Sequence, residues 1–122
     1  MTALAMLLAL AQPTTHLSIE PWTGSDLQVT TSAAAKYRLE VSGKPNASVR
    51  LRAFGVAPGW LAAFCTTRVC SPRQIDTQLP RSGDAVFQFE LIRESDNAPK
   101  RSGATITNDD GASVSVPSAY RE

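Results

Sequence analysis

Histidine is nearly missing from this sequence, because His16 is the single histidine among 122 residues. A blue-copper site needs two histidines and a cysteine, a structural zinc site needs four nitrogen or sulfur ligands, and a Ser-His-Asp arrangement needs a histidine beside its nucleophile. We therefore expect no catalytic residues, no metal and no cofactor, and we expect that the protein is not an enzyme.

The sequence also lacks an excess of either charge, since 12 Lys and Arg residues stand against 11 Asp and Glu residues. Without a basic surface to meet phosphates, we expect no nucleic-acid partner. The 8 prolines and 7 glycines are spread along the chain and leave few windows long enough for a helix. Hydrophobic residues make up 43%, an ordinary globular share that predicts one packed domain.

The one long apolar run is ALAMLLALA at residues 3–11. It is about half of the ~20 residues that a membrane-spanning helix needs, and it ends in the small-x-small pattern that signal peptidase accepts. We expect residues 1–11 to be a signal peptide and residues 12–122 to be one bacterial periplasmic or secreted domain, not inserted in the membrane after cleavage. The alternative is a hydrophobic strand or helix that stays in the fold.

Alternation with period two is the dominant pattern in the rest of the chain, and it is typical of strands with one buried face. The alternating segments are residues 16–20, 26–30, 37–41, 49–53 and 85–92. A helix is possible over the last segment, but its Val, Phe and Ile residues favour a strand. Turn formers separate the segments at residues 43–46, 58–59, 80–83 and 97–100. The pattern predicts an all-β antiparallel β-sandwich of about seven to nine short strands, with a small barrel as the alternative.

The register of the last hairpin can be predicted from the residues around Asp110 and Gly111. A two-residue loop would set Ile106 opposite Ser115 and mix the two faces. A three-residue loop ending in a left-handed Gly111 pairs Ile106 with Val114, so that the apolar residues share one face. We predict the second arrangement, in which the Asp-Asp-Gly turn needs no calcium ion.

Three runs, YRLEVSGKP, VAPGWLAAFC and LPRSGDAVFQFEL, resemble the bacterial immunoglobulin-like domains of the α-galactosidase-associated family, which are appended to secreted glycosidases. The resemblance extends over residues 37–116 and includes a Pro-Gly-Trp before a strand, here Pro58 to Trp60. It implies an immunoglobulin-like sandwich and an accessory role beside a carbohydrate-active enzyme.

Cys65 and Cys70 are the two cysteines, and they are separated by four residues. In an exported protein this spacing predicts a disulfide across a hairpin loop, between directly opposed residues of a non-hydrogen-bonded pair. The alternative is a redox-active dithiol, although redox motifs have two intervening residues and a helix N-terminus.

Several polar residues are predicted to lie on the outward faces of their strands and to form ion pairs on a solvated sheet: Glu40, Arg50, Arg52, Gln88 and Glu90. Trp60 is predicted to fill the core. Trp22 and Tyr120 are candidates for stacking on sugar rings, in which case they would be the ligand-binding residues.

These observations favour a non-catalytic exported immunoglobulin-like module with an interaction or structural role in the cell envelope. Its expected partner is another envelope or extracellular protein, or a polysaccharide. The alternatives are a carbohydrate-binding accessory module of a secreted glycosidase system, and a small redox or ligand-binding periplasmic protein.

Expression in a bacterium with a secretion pathway tests the signal peptide. Because Ala9-Leu10-Ala11 ends the apolar run, mass spectrometry of the exported protein should find Gln12 at its N-terminus. Recovery of the uncleaved chain from the cytoplasm would contradict export and remove the argument that the cysteines meet an oxidising compartment.

Overall fold

A computed structural model describes residues 14–22 and 34–121, which form two antiparallel sheets and contain no helix. The proposed signal peptide and the alternating segment at residues 26–30 lie outside the described residues. Nine strands are present in these ranges: β1 His16–Pro21, β2 Ala34–Ser42, β3 Ser48–Phe54, β4 Trp60–Cys65, β5 Cys70–Pro72, β6 Gln74–Gln78, β7 Asp84–Arg93, β8 Arg101–Asn108 and β9 Ser113–Tyr120. No described segment is a helix that could cross a membrane.

The strand order is that of an immunoglobulin-like sandwich. One sheet has the order β1-β2-β7-β4-β5 and the other has the order β6-β3-β8-β9. Seven strands reproduce the ABED and CFG sheets when A to G are taken as β1, β2, β3, β4, β7, β8 and β9. The two short strands β5 and β6 are inserted between D and E, and each extends one edge of one sheet. The prediction of an all-β immunoglobulin-like sandwich is confirmed.

The alternating residues meet between the sheets as predicted. Leu39 and Phe89 from the five-stranded sheet, and Leu51 and Ile106 from the four-stranded sheet, have no exposed surface. Residues 85–92 belong to β7, so the strand interpretation of this segment is correct. All four predicted turn segments lie between strands.

The last hairpin has the predicted register. Ile106 is opposite Val114 and Ala104 is opposite Val116. Gly111 has a φ of 96°, which is the left-handed conformation that this loop requires. A shift at Gly103 then moves the pairing by one residue, so that Ser102 is opposite Ala119. This bulge keeps Ala119 on the buried face.

Two aromatic side chains of the five-stranded sheet donate hydrogen bonds to backbone carbonyls outside that sheet. The Tyr37 hydroxyl donates to the Pro117 carbonyl at 2.6 Å, and Trp60 Nε1 donates to the Pro99 carbonyl at 2.6 Å. Trp60 is 7% exposed and belongs to the hydrophobic core, as expected from the sequence. Its ring therefore fills space between the sheets while its one polar atom has a partner.

Replacing Trp60 tests its contribution to stability. Trp60→Ala should lower the free energy of unfolding by about 3–5 kcal/mol, because it removes a large buried ring. Trp60→Phe should cost less, since it keeps most of the ring and loses the bond to Pro99. Urea unfolding followed by circular dichroism measures both. Trp22→Ala is the matched control, and an equal loss there would contradict the assignment of Trp60 as the core tryptophan.

Candidate functional site

The two cysteines form the predicted disulfide. Cys65 ends β4, Cys70 begins β5, and the two are directly opposed with their Cα atoms 4.0 Å apart. The backbone hydrogen bond from Thr66 N to the Val69 carbonyl closes the next pair, so the cysteines occupy the non-hydrogen-bonded position. Because the enclosed loop is short, the chain-entropy model gives it only about 2 kcal/mol of stabilisation.

The loop inside the disulfide, residues 66–69, is called the hairpin tip here. Thr66 Oγ1 accepts hydrogen bonds from the backbone N–H groups of Arg68 and Val69, each at 3.2 Å. The same hydroxyl donates to the Val69 carbonyl at 3.3 Å. The Val69 side chain remains 57% exposed. The hairpin tip is thus an ordered loop that presents an apolar side chain to solvent.

Gln88 and Glu90 correct one expectation from the sequence. Both lie on the outward face of β7, as predicted, but Gln88 is 1% and Glu90 is 6% exposed. They form no ion pair with Arg50 or Arg52, which belong to the other sheet. The physical reason is that β7 is the middle strand of five, so side chains of β2 and β4 flank it on both sides.

Glu90 lies directly against the disulfide. It is opposite Ala63 on β4, which makes Cys65 its diagonal neighbour on the same face. Glu90 Oε2 is 2.9 Å from Cys65 Sγ and 3.9 Å from Cys70 Sγ. A disulfide sulfur carries no proton, so a hydrogen bond across the shorter contact requires a protonated carboxyl that donates to sulfur.

Burial raises the pKa of Glu90, because the charged form loses its hydration. Lys36, directly opposite on β2, and the neighbouring Gln88 amide act in the other direction but do not outweigh burial. The raised pKa favours the protonated form, which is the form that can donate a hydrogen bond to Cys65 Sγ.

The cysteines and Glu90 also form a possible ligand set. Within residues 14–22 and 34–121, they are the one group of three His, Cys, Asp or Glu side chains whose ligand atoms lie within 4.8 Å of one another. In the disulfide form the two sulfurs are not thiolates, and thiolates are what zinc or copper binds. The oxidised arrangement is therefore suited to thiol chemistry rather than to metal binding.

Trp22 and Tyr120 do not form an aromatic ring pair in the described part of the chain. Trp22 follows β1 in the five-stranded sheet, and its ring has the Arg38 guanidinium 5.7 Å from its centre. Its Nε1 atom is buried and is not presented to a ligand in solvent. Tyr120 ends β9 in the other sheet and is 60% exposed. Sugar binding by these two residues stays a prediction.

The polar residues of the four-stranded sheet are paired with one another. Arg50 Nε is 2.9 Å from Asp76 and Arg52 Nη1 is 3.5 Å from Asp109, as expected for a solvated sheet. The hydrogen bond with Arg50 lowers the pKa of Asp76. Arg50, Asp76 and Asp109 line an open groove of about 750 Å³ beside the residues that precede the first strand. With their charges matched, the arginines are poorly suited to hold an anion.

Asp110 connects the last hairpin to the start of the first strand. Its Oδ2 accepts from the backbone N–H groups of Thr14 at 3.1 Å and Thr15 at 2.8 Å, and its Oδ1 accepts from Ala112 N at 3.1 Å. Partial burial raises the pKa of Asp110, but the hydrogen bonds outweigh it and bring the pKa to about 2. Both oxygens are thus used in holding the fold.

Comparison with known proteins supports the fold. No family model and no curated protein matches the sequence. Among solved structures, a FixG-related protein from Vibrio parahaemolyticus is similar with a TM-score of 0.55 and 10% identity, covering 89% of this chain and 97% of that one. The copper-bound PCuAC domain from PmoF2 gives a TM-score of 0.33 at 17% identity, covering 90% of this chain and 89% of that one.

The likeness to the FixG-related protein extends to the fold alone, and the TM-score of the copper-bound domain is too low to support an argument. Neither comparison tests the resemblance to the α-galactosidase-associated family, which stays a prediction.

Sequence reasoning missed the burial of Glu90 against the disulfide. The outward positions of β7 carry no usable signal for it, because apolar Val86 is 45% exposed while polar Gln88 and Glu90 are buried. What alternation could not reveal was that the disulfide lies over the same face.

Glu90→Gln tests the burial of this carboxyl. A raised folded-state pKa gives stability that is present at low pH and lost as pH rises through that pKa. The variant does not ionise, so its stability relative to the wild type should increase as pH rises above the ordinary pKa range of a glutamate. Urea unfolding at several pH values measures the difference. Glu40→Gln, on the exposed part of the same face, should show no comparable increase, and a constant difference for Glu90→Gln would contradict the assignment.

Proposed function

We propose that this chain is a non-catalytic, exported immunoglobulin-like module that binds another protein of the cell envelope or extracellular space through its hairpin tip. The observation that carries the proposal is the order of that loop before any partner is bound. The disulfide closes its base, Thr66 makes its internal hydrogen bonds, and Val69 is left exposed.

An ordered loop suits recognition because binding then costs little conformational entropy. Loops held by a rigid sandwich are common places for binding residues. Arg68 and Val69 are both exposed, so the hairpin tip offers one charged and one apolar contact side by side. Nothing in the core depends on either side chain, which is consistent with a role outside folding.

The sheet edges are poorly suited to pairing with a strand of a partner protein. A loop is therefore the better candidate for the binding surface. Three of the four edge strands contain a proline, which has no N–H to offer an added strand: Pro21 in β1, Pro72 in β5 and Pro117 in β9. The fourth, β6, is only five residues long. A partner is therefore more easily accommodated at the hairpin tip than along an edge.

The disulfide is compatible with an oxidising extracytoplasmic compartment and agrees with the expected export signal. A carbohydrate-binding role is the weaker proposal, because Trp22 Nε1 is buried and no ring pair joins Trp22 to Tyr120 in the described residues.

Photocrosslinking tests the protein-binding proposal. A photoreactive phenylalanine analogue at position 69 should crosslink the mature protein to one defined partner in an envelope extract of the source organism. The same analogue at position 54 is the matched control, since Phe54 is also exposed but ends β3 in the other sheet. In a pull-down without the photoreactive residue, Val69→Asp should abolish retention of that partner and Phe54→Ser should not.

Two outcomes would overturn the proposal. Identical adducts from both positions would show that the hairpin tip is not the contact surface. Retention on a polysaccharide that is lost in a folded Trp22→Ala or Tyr120→Ala variant would make carbohydrate binding the better account.

A further inference from the structure

The two sulfurs of the disulfide have unequal surroundings. Cys65 is 3% exposed, whereas Cys70 is exposed at the start of an edge strand. An attacking thiolate must approach one sulfur while the other leaves. Access therefore directs attack to Cys70 Sγ and makes Cys65 the leaving group.

The leaving group has a proton donor beside it. A thiolate formed at buried Cys65 would be poorly solvated and would face a carboxyl group, and both conditions make it a poor leaving group. Glu90 Oε2 lies 2.9 Å from Cys65 Sγ, within reach for direct proton transfer, and a full ångström farther from Cys70 Sγ. The carboxyl is closest to the sulfur that needs the proton.

We propose that Cys65 and Cys70 form an exchange-competent disulfide, in which an external thiolate attacks Cys70 Sγ and Glu90 protonates the departing Cys65 sulfur. The bond from the incoming sulfur to Cys70 forms as the Cys65–Cys70 bond breaks. Glu90 gives its proton to Cys65 and becomes a carboxylate. The products are a mixed disulfide on Cys70 and a thiol at Cys65, and a second thiolate completes the two-electron reduction by releasing Cys70. The reductant is a low-molecular-weight thiol or the dithiol of a partner protein.

The hairpin does not need the disulfide to stay paired, which allows exchange in the folded protein. Backbone hydrogen bonds join Thr66 to Val69 and Arg73 to Ala62 on either side of the cysteines. The side chains of Phe64 and Ala62 hold β4 in the core. Reduction would release the covalent closure of the hairpin tip while leaving the sandwich intact.

The site of attack can be read directly, because Arg68 lies between the cysteines. Native protein is treated briefly with reduced glutathione, quenched with iodoacetamide and digested with trypsin, which separates residues 53–68 from residues 69–73. We expect glutathione on the peptide of Cys70 and the alkyl group on the peptide of Cys65. Glutathione mainly on Cys65, or no reduction until the protein is unfolded, would overturn the proposal.

The pH dependence of the reduction rate tests the role of Glu90. The rate at each pH is divided by the concentration of glutathione thiolate, which removes the ionisation of glutathione itself from the profile. In the wild type this corrected rate should fall as pH rises and Glu90 loses its proton. Glu90→Gln should give a flat profile and, at low pH, a rate lower by about a hundredfold or more, the usual range for a general acid. A wild-type profile as flat as that of Glu90→Gln would overturn the proton-donor role.

Two charged side chains of β2 lie near Glu90 and could also affect the pH dependence of the reduction rate. Lys36 is opposite it on β2, and Arg38 is diagonal to it and pairs with Glu40 at 3.0 Å. The other titratable groups on this face from β4 and β5 are the cysteines themselves. Glu40→Gln is the matched control, because it removes one carboxylate from the same face without touching the disulfide, and it should keep the wild-type profile.

The two proposals fail separately. Exchange chemistry is measured with glutathione alone, so its failure leaves crosslinking from position 69 unaffected. Loss of crosslinking would likewise leave the position of the glutathione adduct unchanged.

Discussion

The burial of β7 on both of its faces is the constraint on which the rest of the structure depends. Its inward side chains, Phe87, Phe89 and Leu91, pack between the sheets, and its outward side chains Gln88 and Glu90 are also buried. Over its middle, from Phe87 to Leu91, the strand has no solvated face, so the polar groups there are in contact with protein rather than water. The carboxyl of Glu90 is thereby held against a disulfide.

Two sets of side-chain to backbone hydrogen bonds hold the rest of the sandwich together around this strand. Tyr37 and Trp60 place their polar atoms on backbone carbonyls across the core, which allows large rings to be buried without leaving a donor unpaired. At one end, Asp110 accepts the N–H groups that begin the first strand. The charged side chains of the four-stranded sheet are mostly paired with one another. The disulfide and the carboxyl of Glu90, which can react, lie on the five-stranded sheet.

On that sheet, one disulfide supports two proposals of different kinds. It orders the hairpin tip, which is the proposed contact surface, and it joins buried Cys65, which has an acid beside its sulfur, to the exposed residue Cys70. The first property concerns shape and the second concerns reactivity. Because reduction removes the covalent closure of the hairpin tip, a thiol that reacts with Cys70 would also change the loop that the partner contacts.

Local pattern in the sequence determined the all-β class, the alternating faces of the strands and the positions of the turns. It also determined the register that sets Ile106 opposite Val114, the burial of Trp60 and the pairing of Cys65 with Cys70. These features depend on neighbours within a few residues or on a short loop, where alternation and turn geometry suffice. Only the tertiary structure placed β7 in the middle of five strands, buried Nε1 of Trp22 while leaving Tyr120 exposed, and brought Glu90 to Cys65. Those outcomes depend on strand order between segments distant in sequence, and alternation specifies which face a residue takes but not which strands will flank it.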